Sequence, residues 1–158
     1  MKSYVEIDGW KSNIRFSSAH IIPEYEKCGR LHGHTYAVHT KIYGKIDEKG
    51  IIIDFSILKE ALKQIVNQLD HKILIPENTK VAEITKENEN VKVFTKGKKY
   101  SFPITDCEFL PLISTSAENL SSFILDQLIK KLSNENIESI QVGVDEGFGQ
   151  GARIIKEL

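Results

Sequence analysis

His32-Gly33-His34-Thr35-Tyr36-Ala37-Val38-His39-Thr40-Lys41-Ile42 carries a strand signal and a chemical signal together. Tyr36, Val38, Thr40 and Ile42 recur at every second position, the spacing with which a half-buried strand turns one face to the core. Two histidines stand two apart at its start. Such residues point to the same side of a strand, so both imidazoles can reach one ion, and Gly33 between them lets another group come close. His39 is odd-numbered where the histidine face is even. Parity removes it from the set and leaves it an ordinary surface or core histidine. Read alone, His-Gly-His fits a turn entering a strand as well as it fits a metal site.

A third histidine shifts that balance. His20 ends the segment Ile14-Arg15-Phe16-Ser17-Ser18-Ala19. If this segment pairs antiparallel with the strand after His34, His20 returns to the same place. Three neutral imidazoles leave a fourth position open, which is the arrangement of a catalytic zinc rather than a structural one. A closed structural site would want paired cysteines, and the chain has no such pair.

Outward from this strand, two segments read as helices. Asp54 is an N-cap, and Phe55, Leu58, Leu62, Ile65, Val66 and Leu69 then trace one helical face. Thr115-Ser116-Ala117-Glu118 is a capping-box pattern that opens the second, with Ala117, Leu120, Phe123, Ile124, Leu128 and Leu132 as its apolar face. Val91, Val93 and Thr95 alternate, and a hairpin turns at Lys96-Gly97-Lys98 before Tyr100-Phe102. Ile140-Gln141-Val142-Gly143-Val144 alternates and leads to Asp145-Glu146. Strands interrupted by two helices predict an α+β fold, with both helices on one face of a mostly antiparallel sheet. Its open edges favour oligomers.

The 158 residues suit one domain, 1–158, with a sizeable core. Lys and Arg number 21 against 22 for Asp and Glu, which argues against a nucleic-acid partner held by a large basic field. No apolar run approaches the roughly 20 residues of a membrane span. The acid-interrupted start, Met1 to Asp8, does not read as a signal peptide. Two cysteines make no disulfide framework, so a cytoplasmic location with reduced thiols is expected.

Three further features carry chemistry. Cys28 lies four residues before His32, in a loop expected beside the metal. A thiol near a dication or a guanidinium ionises more readily and can act as base or nucleophile. It also fits a small buried residue, the reading preferred for Cys107. Leu69-Asp70-His71 closes the first helix. The carboxylate can orient the imidazole as a proton relay, or the histidine can merely complement the helix dipole. Glu146 at a strand end can accept two parallel N–H bonds from a flat amidine-like heterocycle. On local sequence it reads more simply as a solvated acid. The following Gly147-Phe148-Gly149-Gln150-Gly151 lacks the spacing of a phosphate loop.

Together these segments resemble the 6-pyruvoyl-tetrahydropterin synthase superfamily, and most of all its 6-carboxy-5,6,7,8-tetrahydropterin synthase branch, which serves 7-deazaguanine (queuosine or archaeosine) biosynthesis. The likeness runs from about Phe16 to Ala152. It is carried by Phe16 to His20, Cys28 to His34, Gly50 to Phe55, Leu69-Asp70-His71, Thr115 to Asn119, and Glu146. It implies a tunnelling fold, an antiparallel four-stranded sheet with two helices on one face, assembled into homo-oligomers such as hexamers of two trimers with sites between subunits. It implies a small-molecule pterin substrate, 7,8-dihydroneopterin triphosphate, with 6-carboxy-tetrahydropterin, acetaldehyde and triphosphate as products.

Carried over residue by residue, the resemblance makes His20, His32 and His34 the ligands of Zn2+. Cys28 becomes the general base, Asp70 and His71 the partnering relay, and Glu146 the anchor of the pterin edge. Thr115 and Ser116 help hold the ring from a neighbouring subunit. Lys27, Arg30 and Lys72 stand nearby as triphosphate candidates. The branch assignment rests on the three residues between Cys28 and His32. The pyruvoyl-forming branch has a longer interval, and a side-chain-cleaving branch that forms 6-hydroxymethyl-dihydropterin carries Glu in place of the thiol. A non-catalytic zinc or pterin-binding protein on the same fold is the alternative of another class. The chain departs from the commonest pattern at Gly147, where Thr is frequent, and at Ile75, where Asn is frequent.

Overall fold

The computed structural model describes residues 1–132 and 135–158. The long strand β3 (His32–Gly44) is its spine. One edge of β3 takes two partners in succession. β1 (Ser3–Ile7) pairs with its C-terminal half, and β2 (Arg15–His20) pairs antiparallel with its N-terminal half. The other edge takes β9 (Ile137–Glu146), which pairs in turn with β10 (Gly151–Glu157).

The expected four-stranded antiparallel sheet is not what forms: β1, β2, β3, β9 and β10 pair antiparallel, and the sheet continues beyond them. β4 (Lys72–Pro76) adds to β2 in parallel, and β8 (Cys107–Leu110) adds to β4 in parallel, giving a mixed seven-stranded sheet. These strands escape the sequence reading for a physical reason. Leu74 and Ile75 point to opposite faces and both are buried, Leu74 in the main core and Ile75 in a second apolar cluster. A strand buried on both sides shows no alternation.

Between β4 and β8 the chain builds a separate three-stranded meander: β5 (Glu83–Glu87), β6 (Asn90–Thr95) and β7 (Lys98–Pro103). The β6–β7 hairpin turns where expected, with Lys96 at φ 50° and Gly97 at φ 72°, the left-handed pair that a two-residue hairpin turn requires.

Helices α1 (Phe55–Leu69) and α2 (Ala117–Lys131) pack against the main sheet. Asp54 caps α1, its Oδ1 accepting from Ser56 N at 2.7 Å. Leu58, Leu62, Ile65, Val66 and Leu69 are buried as their spacing predicts, but Phe55, at the helix start, stays 48% exposed. The cap of α2 lies one residue later than expected. Ser116, not Thr115, accepts from the helix, through Asn119 N. The even-numbered residues of β2 and β3 face the helices: Phe16 stacks on Tyr36 with ring centroids 4.6 Å apart, and Val38 and Ile42 continue the row. No helix among the described residues is long and apolar enough to cross a membrane.

A candidate metal-centred active site

Strand register builds the site. Phe16 pairs with Tyr36, Ser18 with His34, and His20 with His32. The row of core residues on the helix side thus runs on into three imidazoles at the end of the sheet. Their ligand nitrogens all lie within 4.8 Å of one another.

The hydrogen bonds around the rings fix which nitrogens are free. His20 Nδ1 donates to the Thr115 carbonyl at 3.0 Å, and His32 Nδ1 donates to the Arg30 carbonyl at 2.7 Å. A neutral imidazole bonded this way keeps its lone pair on Nε2. The two Nε2 atoms face each other at 3.1 Å. His34 Nε2 is buried and bonds to no partner. Burial, then the neighbouring His32, lowers the pKa of His20 to about 4; burial also lowers that of His34, against the pull of Glu146. Both rings are held neutral, the form that ligates a metal.

Facing lone pairs repel unless a cation lies between them. A tetrahedral ion with bonds of about 2.0–2.1 Å to nitrogen spaces its ligands by about 3.3 Å, close to the separation seen here. The residues fit a metal ion, and among the described residues three possible protein ligands converge there. Beneath them lies the buried Tyr36, its hydroxyl 3.3 Å from His20 Nδ1 and its pKa raised by burial.

Glu146 arrives on the neighbouring strand. It pairs with Tyr36 in register, so its side chain shares the even-numbered face, with Oε2 3.9 Å from His34 Nε2. Cys28 is exposed and lines one hollow with Ser116, Glu118, Glu146 and Gln150. Its loop is anchored from outside the sheet, since Lys96 at the meander tip donates to the Tyr25 carbonyl at 2.9 Å. Thr115 is fully buried, with its hydroxyl 3.1 Å from His20 Nδ1, so it orients a ligand ring. Ser116 lines the same hollow as Cys28 and Glu146 within this chain.

Asp70 and His71 do form a pair, with Asp70 Oδ2 2.8 Å from His71 Nδ1. Asp70 Oδ1 also accepts from Ser17 N at 2.8 Å. Burial opposes ionisation of Asp70, but the Ser17 and His71 hydrogen bonds outweigh it and hold the carboxyl below its ordinary range. The pair is not at the hollow that holds Cys28. His71 is largely exposed and borders a second hollow, with Ser17, Ala19, Gly33 and Thr35 from the odd-numbered face and His34 at its edge with the histidine cluster. Lys72 beside it donates to the Thr105 carbonyl at 2.7 Å, and Lys27 and Arg30 stand on the Cys28 loop.

His39 lies on the odd face as parity required, but it is more than an ordinary histidine. It bonds to Asp145 Oδ2 at 2.9 Å. Asp145, Trp10 and Arg153 form a cluster there that the sequence reading passed over. The signal was its parity: Asp145 must point away from Glu146.

An α+β sheet that ends in an open three-histidine cradle defines a protein with a candidate metal-binding site. Comparison with known proteins gives the family. The profile described as "6-pyruvoyl tetrahydropterin synthase" matches residues 10–157, and the chain belongs to this family. A Methanocaldococcus jannaschii protein, provisionally named 6-carboxy-5,6,7,8-tetrahydropterin synthase, is 36% identical over 98% of this chain and 97% of its own. The Aquifex aeolicus protein of that name is 30% identical over 81% of this chain and 75% of its own. Among solved structures, Plasmodium falciparum 6-pyruvoyl tetrahydropterin synthase superposes with a TM-score of 0.91 at 32% identity, covering 99% of each chain. A Plasmodium vivax 6-pyruvoyltetrahydropterin synthase, solved as a mutant of a catalytic glutamate, gives 0.92 at 30% identity, covering 100% of this chain and 99% of that one.

Proposed function

We propose that the chain is a zinc-dependent 6-carboxy-5,6,7,8-tetrahydropterin synthase. It converts 7,8-dihydroneopterin triphosphate to 6-carboxy-tetrahydropterin, acetaldehyde and triphosphate, as a step of 7-deazaguanine biosynthesis in the cytoplasm. The observation that carries the reading is the convergence of three imidazoles next to Glu146, with Cys28 on the hollow that Glu146 lines. The relatives from M. jannaschii and A. aeolicus support the choice of product by their names.

His20, His32 and His34 hold the ion, with the Nδ1 atoms of His20 and His32 fixed by carbonyl groups. Bound zinc supplies Lewis acidity that acidifies the substrate side-chain hydroxyls and the neighbouring C–H bonds. Glu146 accepts two N–H bonds from the pterin amidine edge and so orients the ring. Cys28 takes a proton from the side chain, and Ser116 lines the ring's seat. Asp70 orients His71, which passes a proton at its Nε2. Because this pair lies away from the Cys28 hollow in one subunit, it acts on the site of a neighbour in a homo-oligomer built on the open sheet edges.

The names of the Plasmodium structures favour one second reading, a 6-pyruvoyl product; side-chain cleavage to 6-hydroxymethyl-dihydropterin is the third outcome that the sequence left open. One assay separates the three. Zinc-loaded protein is incubated with 7,8-dihydroneopterin triphosphate, and acetaldehyde with 6-carboxy-tetrahydropterin is expected. A pyruvoyl or hydroxymethyl pterin as the sole product would overturn the choice.

A further inference from the structure

Glu146 is the last residue of β9 paired with β3; its partner is Tyr36. Beyond it the chain enters a turn with Gly147 at φ 81° and Gly149 at φ 88°. The main chain ties this turn at two points, Glu146 N donating to the Gln150 carbonyl at 3.0 Å and Gly147 N to the Thr35 carbonyl at 3.1 Å, and side chains add a further tie. Next to Glu146, on the opposite face, Asp145 is 7% exposed. Its Oδ2 accepts from Trp10 Nε1 at 3.0 Å and His39 Nε2 at 2.9 Å, and its Oδ1 meets an Arg153 terminal nitrogen at 2.7 Å. These donors come from the segment after β1, from β3 and from β10. One buried carboxylate therefore ties three parts of the chain to the end of β9.

The surroundings are cleared for it. A Cβ at Gly151 would collide with Asp145 Oδ1, and one at Gly143 would collide with the Arg153 side chain. The ring of Phe148, at the turn tip, stacks on Trp10 with centroids 4.3 Å apart. The same tryptophan thus holds both the carboxylate and the turn that follows Glu146.

We propose that Asp145 is a positioning residue for pterin binding: with Trp10, His39 and Arg153 it fixes the end of β9, so that Glu146 meets the heterocycle already oriented. This rests on the reading of Glu146 as the pterin anchor. A displacement of about 1 Å at such a contact is enough to lose substantial binding or rate.

The test uses the full-length, zinc-loaded protein, with neopterin as a non-reacting ligand followed by its fluorescence. Glu146→Gln should weaken neopterin binding. Asp145→Asn should weaken it about tenfold and raise KM in step, with kcat reduced less than about threefold and zinc retained. Trp10→Phe keeps an aromatic ring beside Phe148 while removing the Nε1 donor and part of the indole surface, so it carries the test even if Asp145→Asn does not fold; about threefold weaker binding is expected. In a Glu146→Gln background, Trp10→Phe should add less than about twofold. If Glu146→Gln binds neopterin like the parent, the anchor reading fails and this inference fails with it. If Glu146→Gln weakens binding but Trp10→Phe does not, or does so equally in both backgrounds, the anchor stands and the positioning role is overturned.

Discussion

His20 Nε2 lies 3.1 Å from His32 Nε2, and both rings give their other nitrogen to a backbone carbonyl. The protein has arranged two lone pairs to face one point. That arrangement is costly without a cation and favourable with one, so the ion and the sheet end should stabilise each other.

His20 gives that coupling a pH signature in the metal-free protein. Its pKa is lowered from 6.5 to about 4 by burial and by His32. Between those values the unfolded chain holds a proton that the folded chain lacks, so stability is fully present above pH 6.5 and falls as pH drops towards 4. The loss is on the order of 3 kcal/mol. Denaturant melts of metal-free protein at several pH values should show this slope, and His20→Gln should flatten it. Equal slopes in both proteins would remove His20 as its source.

The thiol can be separated from the metal. Cys28→Ala should retain zinc by elemental analysis and lose nearly all turnover, while His32→Ala should lose the metal itself. Full turnover in Cys28→Ala would take the thiol out of the mechanism.

Asp70 and His71 lead to a mixing experiment. Cys28→Ala and His71→Ala subunits are each expected to be inactive as homo-oligomers. Unfolded and refolded together in equal amounts, they should recover about a quarter of the parental activity, since random assembly brings an intact thiol to an intact relay at that frequency. No recovery would place thiol and relay in one subunit.

Phe16 supports the site from below by stacking on Tyr36, and it is only 1% exposed. Phe16→Ala should cost about 3–5 kcal/mol in urea unfolding, from lost burial and the cavity left behind. Zinc affinity should fall with it, because Tyr36 would lose the surface that holds it under His20.

Much of this was legible in the sequence wherever one periodicity dominated. Tyr36, Val38, Thr40 and Ile42 gave β3 because only one face of that strand enters the core. The same parity gathered the three candidate metal ligands and set His39 apart. β4 was hidden because Leu74 and Ile75 bury opposite faces and leave no alternation to read. The cap of α2 was misplaced by one residue because Thr115 and Ser116 are chemically equal as caps; His20, 95 positions away, claims the Thr115 hydroxyl. Asp145 was overlooked because its three donors come from distant parts of the chain, and local sequence shows only an acid beside another acid.

The pairing of β2 with β3 has one more consequence. If β2 slid by a single residue, Ala19 or Ile21 would take the place of His20 on the inner face, and the apolar row below would be scrambled with it. Such a chain could keep most of its backbone ladder and look folded by circular dichroism. It could not hold the ion. Where the proposed site takes up its metal, that uptake is a proofreading signal for strand alignment, one that distinguishes the correct sheet from its near neighbours.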